Sequence, residues 1–157
     1  MSAQLCFDRE RLAAIVARYP AEAASLVPIL QDVNRAYGYL PCDALSQVAT
    51  VLHVPLSRVF SVSTFYKAFS LVPQGRVVIK VCTGTACHIR GAGRLLEELT
   101  ARLAIGAGET TADMAFTIKT VNCVGACAMA PVLMVGADVK GKARPASVSD
   151  YLAEARS

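Results

Sequence analysis

Two close pairs of cysteines constrain this sequence more than any other feature. Cys82 and Cys87 are separated by four residues, and Cys123 and Cys127 by three. Each pair follows a segment of strand length, and each spacer is made mostly of small residues, so side chains from the two loops can converge. A chain without a secretory signal is not expected to use such cysteines as a disulfide framework. We therefore expect metal ligands, catalytic thiols or core residues.

The composition indicates a globular chain with a buried core. Of its 157 residues, 54% are hydrophobic and 18% are charged, unlike the composition of disordered proteins. The longest uncharged stretch, residues 120–137, is shorter than the roughly 20 residues of a membrane-spanning helix and contains proline and glycine. We therefore expect no direct membrane insertion, and the lack of a signal-peptide pattern predicts a cytoplasmic location. Basic and acidic residues are interleaved, which argues against nucleic-acid binding.

The hydrophobic spacing predicts an α/β chain in two parts, a helical bundle over residues 1–71 and an α/β domain over residues 72–157. The predicted helices of the first part are 8–19, a second that ends at Tyr37, 43–52 and a short one after Pro55. Because Pro28 lies within the second helix, that helix is either kinked there or begins near Ser25.

The second part is predicted to follow the order β-α-β-β-α. Its segments are strand 76–81, loop 83–86, helix 88–105, strand 115–121, strand 132–135, a turn over 136–142 with room for an edge strand, and a last helix that Ser147 can cap. Along strand 115–121, Phe116 and Ile118 alternate with Thr117 and Lys119, which predicts that Thr117 lies on the opposite face from the two apolar residues.

Three kinds of site compete for the cysteine pairs. Structural zinc sites use similar cysteine spacings, although C-x4-C followed by C-x3-C is not their common pattern. A thiol-disulfide redox pair normally has the C-x-x-C motif, which this sequence lacks. Four buried core cysteines are the remaining structural explanation. The favoured interpretation is a 2Fe-2S cluster, whose negative charge could be stabilised by the amino end of the helix at Cys87 and by nearby cations. Those cations are Lys80, Arg90, Arg94 and Lys119.

Longer segments around the cysteines resemble a known family. The segments are VCTGTACHIRGA from Val81, VNCVGACAMAP from Val121, NRAYGYLP from Asn34 and VPLSRVFSVSTFYKAFSL from Val54. Together they resemble the thioredoxin-like 2Fe-2S subunit of NADH dehydrogenases, including respiratory complex I, over roughly residues 8–155. The T-G-T-A spacer, His88 and the sequence GETT from Gly108 are most similar to the small diaphorase subunit of NAD(P)-linked hydrogenases.

The resemblance implies a fold, a cofactor and partners. It implies a thioredoxin-like 2Fe-2S ferredoxin domain after the helical bundle, with Cys82, Cys87, Cys123 and Cys127 as the four ligands of one cluster. It also implies a partner flavoprotein subunit that binds FMN and NAD(P)H, on which the amino-terminal helices would pack, and further iron-sulfur subunits. The chain would exchange single electrons with the FMN, and it would act as an oxidoreductase subunit without being catalytic alone.

Several alternatives stay open from the sequence. The parent complex could be a soluble bidirectional or bifurcating hydrogenase, respiratory complex I or an NAD-linked formate dehydrogenase. A zinc-stabilised binding module, which would be a protein of a different functional class, is a further alternative. His88 adjoins Cys87 and could replace a cysteine ligand, as histidine does in some 2Fe-2S centres. Cys6 and Cys42 stand apart from the pairs and are expected to be bystander thiols.

Overall fold

The computed structural model describes residues 8–156, which divide into two compact units at the boundary between Pro73 and Gln74. The first unit is helical, and the second combines helices with a sheet. Within the described part of the chain, no helix is both long enough and apolar enough to cross a lipid bilayer.

The first unit contains α1 (Arg9–Val16), α2 (Leu26–Tyr37), α3 (Cys42–Val51) and α4 (Leu56–Phe65). Each helix contributes its apolar face to one core, in which Leu12, Ile29, Leu45 and Val59 are almost completely buried. Asp8 caps α1, because its carboxylate accepts hydrogen bonds from two backbone N–H groups of the first turn.

Two helices of this unit begin or end differently from the prediction. The prediction that the first helix extends to Tyr19 is wrong, since α1 ends at Val16. The N–H groups of Arg18 and Tyr19 bond three residues back, which tightens the chain into a turn. The helix after Pro55 is not short, because α4 has ten residues.

Pro28 does not kink the second helix. α2 begins at Leu26, directly after Ser25, so Pro28 lies in the first helical turn. A missing N–H there breaks no helical hydrogen bond, which is why proline is tolerated at this position. The helix ends at Tyr37, and the following residue, Gly38, has a φ of 77°, the left-handed conformation that favours glycine.

The second unit contains β1 (Val77–Cys82), α5 (Thr85–Ile89), α6 (Ala92–Leu103), β2 (Phe116–Val121), β3 (Leu133–Val135), β4 (Asp138–Lys140) and α7 (Val148–Glu154). The strand order is β2-β1-β3-β4, with β1 and β2 parallel and the other two pairings antiparallel. Ile79 and Ile118 are register partners in the centre of the sheet, and they pack in one core with Leu95 and Leu99 of α6. The predicted fold class, a helical bundle followed by an α/β ferredoxin domain, is confirmed.

The predicted single helix over residues 88–105 is in fact two helices. Gly91 has a φ of 96°, which no residue inside an α-helix adopts, and it separates α5 from α6. As a consequence, Thr85 and Ala86 are helical and not part of a loop. Cys87 therefore lies in the short helix α5 and does not open the long one.

Thr117 is buried although it lies on the face of β2 opposite to Phe116 and Ile118. Only 1% of its surface is exposed. Its hydroxyl oxygen accepts a hydrogen bond from the N–H of Gly75 at 2.7 Å and lies 2.7 Å from the hydroxyl of Thr110. These partners satisfy the hydroxyl, so the polar side chain can lie inside the unit.

Candidate metal centre

The parallel pairing of β1 and β2 brings the two cysteine loops to one edge of the sheet. Cys82, the last residue of β1, is the register partner of Val121, the last residue of β2. The N–H of Thr83 donates to the carbonyl oxygen of Val121 at 2.8 Å, and the Thr83 hydroxyl donates to the same oxygen at 3.2 Å. Because both loops leave the sheet at this edge, the residues that follow the strands come close together.

All four predicted ligand cysteines line one open cavity of about 530 Å³. Its other lining residues are Gly84, Thr85, Ala86, Ile89 and Asn122. The structure therefore brings together the two pairs that the sequence singles out, and it adds Ile89 and Asn122, for which the sequence offers no signal beyond their positions beside the pairs.

The two cysteine pairs approach each other in this cavity. The Sγ atoms of Cys123 and Cys127 are 3.9 Å apart, close to the roughly 3.8 Å between two thiolates on one tetrahedral metal ion with bonds of about 2.3 Å. The Cys82 thiol interacts with the thiols of both Cys87 and Cys123, and Cys87 also interacts with Cys127. Within residues 8–156, no three His, Cys, Asp or Glu side chains are grouped closely enough to hold a single metal ion.

Four thiols that line one cavity, of which no three are grouped closely enough to hold one ion, fit a two-iron cluster better than a single tetrahedral ion. A 2Fe-2S cluster takes four cysteine thiolates, which is the donor set present here. Structural zinc requires four ligands around one point. Cys82, Cys87, Cys123 and Cys127 could therefore hold a 2Fe-2S cluster.

The two pairs differ in exposure to solvent. Cys82 and Cys87 are each only 2% exposed, whereas Cys123 and Cys127 are exposed. The site consequently has an inner side within the core of the second unit and an outer side that faces solvent.

Backbone N–H groups point at the sulfur atoms. The N–H of Gly125 donates to the Sγ of Cys123 at 3.3 Å. Burial raises the pKa of the Cys82 thiol, but hydrogen bonds from the Gly84 N–H, the Cys87 thiol and the Val124 N–H outweigh this effect and hold that pKa below its usual value. Such donors stabilise a thiolate, the form in which cysteine binds metals.

The pKa values of Cys87 and Cys127 are shifted in the opposite direction. The pKa of Cys87 is raised, first by burial and then by its hydrogen bond to Cys82. The pKa of Cys127 is raised by its hydrogen bond to Cys123 and by the negative charge that Cys123 can carry. Both shifts disfavour the thiolate forms of Cys87 and Cys127.

The nearby cations occupy different positions. Arg90 donates to the carbonyl oxygen of Ala130 at 3.4 Å. Lys80 and Lys119 are register partners on β1 and β2. Arg94 is exposed on α6.

The other candidate ligands lie elsewhere. His88 is exposed and does not line the cavity. Cys42 is the first residue of α3 and is exposed, and it belongs to the first unit. Cys6 lies outside the described residues.

Comparison with known proteins places these features in a family. The family model described as thioredoxin-like [2Fe-2S] ferredoxin matches residues 12–156. The chain is 41% identical over 135 residues to the HndA subunit of the NADP-reducing hydrogenase of Solidesulfovibrio fructosivorans, covering 86% of this chain and 79% of that protein. It is also 41% identical over 133 residues to an NADH-quinone oxidoreductase subunit of Rhizobium meliloti, covering 85% of this chain and 79% of that one.

A solved structure shares the fold. The air-oxidized NAD+-reducing [NiFe]-hydrogenase matches 87% of this chain with a TM-score of 0.73 at 23% identity, and this chain covers 23% of the hydrogenase chain. The match extends through both the helical and the sheet-containing units, since it covers most of the sequence. From the family model and the two relatives, the chain belongs to the thioredoxin-like [2Fe-2S] ferredoxin family.

Proposed function

We propose that this chain is an electron-transfer subunit that carries one 2Fe-2S cluster on Cys82, Cys87, Cys123 and Cys127. Its partner would be an NAD(P)H-oxidising flavoprotein subunit with FMN, within a hydrogenase-type complex that contains further iron-sulfur subunits. The observation that carries the proposal is that four thiols line one cavity, two of them buried and two exposed.

When bound, a 2Fe-2S cluster supplies one-electron transfer. The residues of this chain set the conditions for it. The N–H groups of Gly84, Val124 and Gly125 lie close to the sulfur atoms of Cys82 and Cys123, where they offset negative charge. The buried pair shields one side from water, and the exposed pair leaves the other side open to a redox partner.

The flavin partner follows from electron counting. A reduced nicotinamide delivers a hydride, which carries two electrons, and a flavin can accept both. A single-cluster subunit accepts one electron at a time. Beside a reduced flavin, this chain would therefore take or hold a single electron.

The type of complex rests on sequence similarity. One relative belongs to an NADP-reducing hydrogenase and another to an NADH-quinone oxidoreductase, and this chain has the same identity to both, 41%. The T-G-T-A spacer between Cys82 and Cys87 supports the hydrogenase type. Respiratory complex I and NAD-linked formate dehydrogenase are the alternative complexes.

Metal analysis and electron paramagnetic resonance after anaerobic purification test this function. We expect about two irons and two sulfides per chain, with an S = 1/2 signal that appears on reduction by dithionite. One zinc per chain with no such signal would overturn the proposal and favour a zinc-stabilised binding module.

Single cysteine replacements test the ligand set. Cys123→Ser should lower the iron content or change the visible spectrum, because a serine oxygen replaces a thiolate on one iron. Cys42→Ser is the matched control and should leave both unchanged, since Cys42 lies in the helical unit. A Cys123→Ser protein with the parent spectrum and iron content would remove Cys123 from the ligand set.

A further inference from the structure

Gly84 lies in the spacer between Cys82 and Cys87, next to the loop that carries the other cysteine pair. Its φ of −58° and ψ of 158° are angles that residues of any type adopt. Conformational freedom therefore does not explain a glycine at this position.

The close approach of two backbone segments does explain it. A Cβ atom added at Gly84 would lie 2.4 Å from the carbonyl oxygen of Asn122 and 3.5 Å from the Cβ of Cys123. Because the nearest atom belongs to the backbone, no side-chain rotation can relieve the overlap. An ordinary contact of about 3.5 Å would require the segments to separate by about 1 Å.

The neighbouring hydrogen bonds hold the segments at this short distance. Both the N–H and the hydroxyl of Thr83 donate to the carbonyl oxygen of Val121. These bonds continue the pairing of β1 and β2 by one residue beyond Cys82. The contact between Gly84 and Asn122 comes next along both segments, so it fixes the separation of the loops just where the cysteines begin.

We propose that Gly84 is a positioning residue for the iron-sulfur cluster. Its missing side chain lets the Cys82–Cys87 loop approach the Cys123–Cys127 loop closely enough for both pairs to bind one cluster. This inference rests on the proposed function. Metal-ligand distances tolerate changes of about 0.2 Å, so a displacement of about 1 Å between the pairs is larger than the site can absorb.

The test compares two glycine-to-alanine variants of the full chain. Gly84→Ala adds the Cβ that meets Asn122, and it leaves the backbone N–H at this position in place. Gly93→Ala is the matched control, because Gly93 lies in α6 with no atom within 4 Å of an added Cβ. Each protein is reconstituted anaerobically with iron and sulfide, and iron release to an excess of chelator is followed together with the spectrum of the reduced cluster.

We expect Gly84→Ala to release iron about tenfold faster than the parent chain, or more, and to show a shifted resonance spectrum. Gly93→Ala should behave like the parent in both measurements. Circular dichroism of the metal-free proteins should show the same secondary structure for all three. Release from Gly84→Ala at the parent rate, with an unchanged spectrum, would overturn the inference. If the parent chain itself binds no cluster, the proposed function fails instead.

A second variant tests the positioning role of Gly84 if metal-free Gly84→Ala does not fold. Thr83→Val removes the hydroxyl bond to Val121 without adding bulk, and the Thr83 N–H keeps its own bond to the same oxygen. Because the two segments are then joined by one hydrogen bond fewer, iron release should be faster than in the parent chain. An unchanged release rate in Thr83→Val, beside an unfolded Gly84→Ala, would show that Gly84 serves the fold alone and would overturn the inference.

Discussion

Thr117 shows how hydrogen bonds to one hydroxyl group let a polar residue be buried within a strand. Its neighbours in sequence, Phe116 and Ile118, are both buried, so three consecutive residues of β2 avoid solvent. The strand period of two residues predicts the burial of Phe116 and Ile118. It cannot predict that of Thr117, because the hydrogen-bond partner, the N–H of Gly75, lies 42 residues away.

Thr117→Val tests this explanation. The substitution keeps the shape of the side chain but leaves the buried N–H of Gly75 without an acceptor, which should lower the free energy of unfolding by about 1–3 kcal/mol. Thr120→Val, at an exposed position of the same strand, is the control and should change it by less than about 0.5 kcal/mol. Urea unfolding followed by circular dichroism measures both. Equal stability of the two variants would contradict a role for the hydroxyl.

The elements that bear the cysteines could be predicted from the sequence more readily than their junctions. The β-branched run before Cys82 correctly predicts a strand, and the leucines of α6 correctly predict a helix. The break between α5 and α6 does not show in the sequence, because the apolar spacing continues through Gly91. Glycine alone does not reveal which residue adopts a positive φ, since Gly93, two positions later, lies within the helix.

The register of β1 and β2 places Lys80 and Lys119 side by side. Desolvation and the charge of Lys80 hold the pKa of Lys119 below its usual value, so the charged form is disfavoured in the folded state. Lys119→Met should therefore raise the free energy of unfolding at neutral pH, by roughly 0.5 kcal/mol.

The effect of Lys119→Met on the free energy of unfolding should depend on pH. A lysine with a lowered pKa destabilises the fold below that pKa, and the penalty disappears as the pH rises past the pKa of the unfolded chain. The increase in the free energy of unfolding from Lys119→Met should thus be present at pH 7 and become smaller in alkaline solution. Lys80→Met is the paired control, and the double variant should gain less than the sum of the single gains. Strict additivity in chemical denaturation would contradict repulsion between the two lysines.

At the scale of the whole molecule, the described residues form two hydrophobic cores that share no residue. The sequence indicates this division through the change from helical spacing to β-branched runs near Pro73. It also predicts which four cysteines line one cavity, but neither the approach of the two pairs in that cavity nor the difference in burial between them. Those features depend on the register of β1 and β2 and on the close contact between Gly84 and Asn122, which sequence spacing does not encode.

The division predicts where a bound cluster stabilises the chain. A ligand that binds only the folded state stabilises the unit that holds it, and all four thiols belong to the second unit. Cluster loading should therefore slow amide hydrogen exchange at Ile79 and Ile118 by about tenfold or more, equivalent to about 1.4 kcal/mol. Exchange at Leu30 and Val33 of α2 should change much less, because their core contains none of the ligands. Hydrogen-exchange mass spectrometry of loaded and metal-free protein measures both, with Cys123→Ser as a control that should gain less protection. An equal gain in the two units would show that they unfold together.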